Sequence, residues 1–134
     1  MRARLILVLT AAAMVLAATP TPAHHSFAAE FDANKPFKFT GTVTKVEWMN
    51  PHTFFYIDVK DEKTGKVTNW GMEMGTPNIL MRNGWRRDTM KIGDVVTVEG
   101  SLAKDGSPTG NARTVLLAKT GQRLFAGSSQ GVTP

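Results

Sequence analysis

The sequence predicts an all-β protein, a small OB-like five-stranded barrel with one short helix between strands 3 and 4. Three observations predict it. Runs of β-branched and aromatic residues recur between polar turns from Phe37 to Ala118. A single helix start, Gly75-Thr76-Pro77, follows the third such run. Three strands, a helix and two further strands form the element order of a partly open Greek-key barrel.

The first two strands flank an Asn50-Pro51-His52 corner in the stretch Gly41 to Asp58. Strand 1 runs over Lys35 to Trp48 and stops at Asn50-Pro51, because proline has a fixed φ and no donor for a ladder. Val43 and Val46 fall on opposite parity, which calls for a bulge between them, and Gly41 marks a bulge or bend. Strand 2, from about Thr53 to Val59, puts Phe55, Ile57 and Val59 on one face and Phe54, Tyr56 and Asp58 on the other. Asp61 to Lys66 is a solvated hairpin turn, and Val67 to Met74 is strand 3, with Trp70, Met72 and Met74 on one parity.

Thr76 caps the helix, Pro77 opens it, Ile79, Leu80 and Met81 supply its buried side, and Gly84 stops it. Val95 to Leu102 alternates as strand 4, Ala112 to Ala118 is strand 5, and Arg123-Leu124-Phe125 adds a short sixth segment. Trp48, Trp70 and Trp85 build the core and close its end, or one of them floors a ligand groove. Met72 and Met74 read as core filler.

Residues 1–23 read as a secretory signal: Arg2 and Arg4, an apolar run from Leu5 to Ala18, then a small-residue and proline segment. The run is 14 residues long, short of the roughly 20 that span a bilayer. The expected organisation is a signal over 1–23, an N-terminal arm over 24–36, the barrel domain over 37–126 and a disordered tail over 127–134. The expected location is the periplasm or the outside of the cell, with no integral membrane segment after processing. Without Arg2 and Arg4 the formal charge falls from +5 to +3, too mild to call for a polyanion, and nucleic acid is not expected as a partner. The chain has no cysteine, so neither a disulfide nor a thiolate enters its chemistry.

Three blocks carry a resemblance: HHSFAAEFD, GTVTKVEWMNPH, and NWGMEMGTPNILMRNGWRRD followed by GDVVTVEG. In this order the chain resembles a family of small exported bacterial proteins of unknown function, recognised by a leading His-His-Ser and a Trp-x-Asn-Pro-His block. The resemblance runs from His24 to about Gly127. It implies export and a shared fold, and it implies no catalytic residues.

The candidate metal ligands are His24, His25 and His52, the three histidines of the chain. A chain cut before His24 would chelate through its α-amine and the His24 imidazole, with His52 or His25 as third nitrogen, a donor set suited to Cu(II). A cut before Ala23 makes His25 the third residue and gives a square-planar site. Copper is the implied cofactor, and otherwise none. Against this stands a plainer reading, in which the paired histidines are solvated and His52 bonds to a backbone carbonyl and orients the corner. The carboxylates Glu30, Asp32, Glu47 and Glu73 show no spacing that singles out an acid or base.

The rival function is a non-enzymatic binding module for an envelope protein, a glycan or a small anionic ligand. Phe54 and Tyr56 would form its platform, and Arg82, Arg86 and Arg87 its charge. The plainer reading is cross-strand packing for the aromatics and a solvated surface for the arginines. A structural envelope protein with neither property is the third possibility.

Overall fold

A computed structural model describes residues 27–127. Its elements are α1 (Phe27–Glu30), β1 (Phe31–Glu47), β2 (Phe54–Lys60), β3 (Val67–Glu73), α2 (Pro77–Arg82), β4 (Val95–Ala103), β5 (Thr109–Leu117) and β6 (Arg123–Phe125). The strands form one six-stranded sheet in the order β3-β2-β1-β4-β5-β6. Neighbours are antiparallel, and a short parallel pairing of Gly71 to Glu73 with Thr109 to Asn111 also joins β3 to β5.

The expected OB-like five-stranded barrel is therefore corrected to a six-stranded sheet with a short helix between β3 and β4. Element order fixes which segments are strands, whereas the sheet is defined by which strand edges find partners. The three-residue segment at Arg123 to Phe125 finds one on β5, pairing Thr114 with Phe125 and Leu116 with Arg123.

The long first strand serves two partners. Its Pro36 to Thr42 half pairs with β4, and its Thr42 to Glu47 half pairs with β2. The bulge called for by Val43 and Val46 lies between Val43 and Lys45, and it returns both valines to the covered face. The register with β4 runs through Gly41 without a break. Phe31 to Pro36, read from sequence as part of an arm, already belong to β1. The Phe27 and Phe31 rings stack at 5.8 Å, and Lys104 N–H donates to the Glu30 carbonyl, tying α1 to the end of β4.

One apolar cluster fills the covered face, with Phe55, Ile57, Met72, Val96, Val98 and Val115 among its fully buried members. The alternation in β2 places Phe55 and Ile57 there and leaves Phe54 and Tyr56 half-buried on the other face. Met72 and Met74 are core filler, as their parity predicts.

The helix forms where its caps predict. The Thr76 hydroxyl accepts from Ile79 N–H at 3.3 Å, and Pro77 starts the helix without needing a donor. Gly84 follows at φ +93, a region that glycine enters without steric cost. The chain then turns inward, so that Trp85 is buried and its Nε1–H donates to the Phe125 carbonyl at 2.9 Å. Among the described residues no helix is long and apolar enough to cross a membrane.

Candidate functional site

The Asn50-Pro51 bond that ends the first arm is cis. The corner is pinned to the end of β3 by two backbone bonds, Thr53 N–H to the Gly75 carbonyl at 3.1 Å and Met74 N–H to the Thr53 carbonyl at 2.8 Å. His52 lies over this junction. Its Nδ1 is 3.1 Å from the Met74 carbonyl and 3.4 Å from the Glu73 carboxylate. Both neighbours are acceptors, so Nδ1–H donates to the Met74 carbonyl. This is the plainer of the two roles read from sequence: the imidazole orients the corner.

For the described residues the metal-binding reading is corrected; the copper expectation rests also on His24 and His25. Among the described residues no group of three or more histidine, cysteine, aspartate or glutamate side chains is arranged to hold a metal ion. His52 turns its Nδ1 toward the Met74 carbonyl and the Glu73 carboxylate, whereas a closed protein site needs three or four converging donors. His24 and His25 lie outside the described residues, as do the signal and most of the tail.

Phe54 and Tyr56 do share the outer face of β2, but that face is engaged by its own neighbours. In register, Phe54 lies between Glu47 and Glu73. Lys45 Nζ sits 5.4 Å from the centre of the Tyr56 ring, and the Tyr56 hydroxyl donates to Glu47 at 3.4 Å. Gly71 leaves room for the tyrosine ring, since a Cβ there would lie 3.2 Å from it. Lys45 and Glu47 form an ion pair. That bond holds the Glu47 carboxyl below the usual carboxylate range and raises the Lys45 ammonium above its usual value. The arrangement is cross-strand packing.

The three arginines do not join this platform. Arg86 turns back to donate to the Trp85 carbonyl at 2.9 Å and the Met81 carbonyl at 3.4 Å, fastening the chain behind α2. Arg82 and Arg87 are exposed on the helix end and its connector, with no ion pair to Asp88 among the described residues.

A different set of residues forms a receptive surface. Phe39 and Trp70 lie on the covered face, in register with the buried Val98 and Ile57 respectively. They pack at the edge of the core, and both remain partly exposed. Their ring centres are 4.6 Å apart at a tilt of 43°, and Phe37 continues the row 4.8 Å from Phe39. Phe39, Trp70 and Val59 border a cleft of about 630 Å³ whose rim carries Lys60, Lys63 and Lys66.

The rim is set by local chemistry in the β2–β3 turn. Asp61 accepts from the Lys63 and Thr64 N–H groups at 2.8 and 3.0 Å. Those bonds, Thr64 foremost, hold its carboxyl below the usual range. The Asp61 N–H donates to the Lys66 carbonyl at 2.8 Å, closing the loop. The side chains of Lys60, Lys63 and Lys66 make no ion pair among the described residues. Sequence reasoning allowed that one tryptophan floors a groove but did not single out Trp70. The available signal was its shared parity with Met72 and Met74, together with the lysine-rich turn beside it.

No curated protein and no solved structure matches the chain. A model described as a family of unknown function, DUF6152, matches residues 12–112, well over half of the sequence, and the chain belongs to that family.

Proposed function

We propose that this protein is a non-enzymatic binding module for a small anionic ligand with a flat apolar face, of which an acidic sugar is the best fit. The observation that carries the reading is the partly exposed Phe39–Trp70 pair bordered by Lys60, Lys63 and Lys66, which outnumber the Asp61 and Glu62 carboxylates beside them and make no ion pair among the described residues. An aromatic floor accepts the C–H face of a sugar ring by dispersion and burial. Ammonium groups on flexible stems meet carboxylates at varied positions around it. The basic, apolar and small-residue order of residues 1–23 supports export to the periplasm or beyond.

Tryptophan fluorescence and amide shifts, followed during titration with an oligouronate and with its neutral counterpart, test the site. The acidic oligosaccharide should bind and the neutral one bind more weakly, with affinity falling as salt rises. Trp70→Ala should weaken binding about tenfold, the equivalent of one well-stacked contact. Equal binding of the neutral sugar, or an unchanged affinity in Trp70→Ala, would sink the proposal.

A further inference from the structure

A second cleft, of about 740 Å³, lies over the start of β1 and the adjoining parts of β4, β5 and β6. Its floor contains an irregularity in the β4–β5 ladder. Glu99 pairs with Thr114 and the next residue, Gly100, pairs with Ala112, so Arg113 has no counterpart on β4. One extra residue on one strand is a β-bulge, a device that re-aims a side chain out of the regular alternation. Gly100 makes the bulge possible, because a Cβ there would collide with the Asn111 carbonyl oxygen.

The residue displaced by the bulge is charged. Arg113 lines the cleft, is exposed, and has no side-chain hydrogen bond or ion pair among the described residues. The other charges around it are already matched. Glu99 pairs with Lys38 at 3.2 Å and with Arg123 at 2.5 Å, and the Thr114 hydroxyl donates to it at 3.4 Å. The cleft thus holds three cations against one carboxylate, with the uncompensated guanidinium on the bulge.

We infer that the Arg113 bulge is an oxyanion-binding site, in which the guanidinium fork takes a carboxylate or phosphate group and Lys38 and Arg123 supply the surrounding positive field. A planar five-donor fork matches two oxygens of such a group at once. Lys38 also borders the Trp70 cleft, but the Arg113 fork does not, and the assignment does not depend on that reading.

Titration of the folded chain with inorganic phosphate and, separately, with acetate at low ionic strength tests it, read by the Arg113 side-chain Nε–H and by backbone amide shifts. One or both anions should give a saturable shift centred on Gly100, Arg113 and Thr114, with a dissociation constant of order millimolar. Phosphate alone or acetate alone assigns the preferred oxyanion. Arg113→Ala should abolish saturation, and Arg113→Lys should weaken it severalfold while keeping the charge. Trp70→Ala should leave the response intact. Shifts spread evenly over the lysines, a response unchanged by Arg113→Ala, or one lost in Trp70→Ala would overturn the assignment.

Discussion

The two ends of the β2–β3 ladder are finished in different ways. At the Phe54–Glu73 end, backbone bonds tie Thr53 to Met74 and Gly75, and Gly75 N–H in turn donates to the Ala126 carbonyl at 2.9 Å. The chain continues from there into α2 and the buried Leu80 and Trp85. At the Lys60–Val67 end no described residue gives comparable cover: Phe39 and Trp70 stay partly exposed beside a loop of lysines. Apolar area withdrawn from water stabilises the first end, whereas the same residue types at the second leave part of that area facing water. Tryptophan therefore has opposite meanings at the two ends.

The largest effect should come from exchanging the two tryptophans for alanine. Trp85→Ala removes a buried ring and strands the Phe125 carbonyl, for a loss of about 3–5 kcal/mol. Trp70→Ala removes a half-covered ring and should cost about 1–2 kcal/mol. Urea denaturation of the two variants measures the difference, and equal losses would break the distinction between a closed and an open end.

A smaller change tests the pinned corner. The Thr53 hydroxyl is fully buried without a hydrogen-bond partner among the described residues, so Thr53→Val exchanges an unsatisfied polar atom for a methyl of similar size. The variant should match the wild type or exceed it by about 1 kcal/mol. A clear loss of stability would show that the hydroxyl has a bonding role at this end.

The smallest effect concerns pH at the lysine loop. Backbone N–H donors lower the Asp61 pKa in the folded chain. Its contribution is therefore complete above the unfolded carboxyl value, about 3.9, and is lost as pH falls through the lower folded value. The Lys63 and Thr64 amides should keep their shifts down to pH 4 and move only below it. Asp61→Ala should abolish that low-pH transition and raise amide exchange at both positions. Movement of these amides well above pH 4 would contradict the loop geometry.

Much of the strand and helix content was legible in local patterns. Alternation separated Phe55 and Ile57 from Phe54 and Tyr56, and the opposed parities of Val43 and Val46 required a bulge that the ladder contains. The same signal was present in β5, where Ala112 and Val115 are both fully buried three residues apart. Read in that way, it points to Arg113. The sites proved harder because a half-exposed aromatic and a packed one have the same letter. Tyr56 looked available until Lys45 and Glu47 were seen beside it, and Trp70 looked like core until its cover ended.

The sequence by itself determined which segments are strands, how α2 is capped and which faces of β2 and β3 are apolar, because these follow from φ limits, side-chain period and hydrogen bonds a few residues apart. Only the tertiary structure decided the six-strand order, the seating of His52 on Met74, and which aromatic rings and cations remain unmatched. Those outcomes depend on pairings between residues far apart in the chain, such as Trp85 with Phe125 or Lys38 with Glu99. No local pattern carries the partner's address.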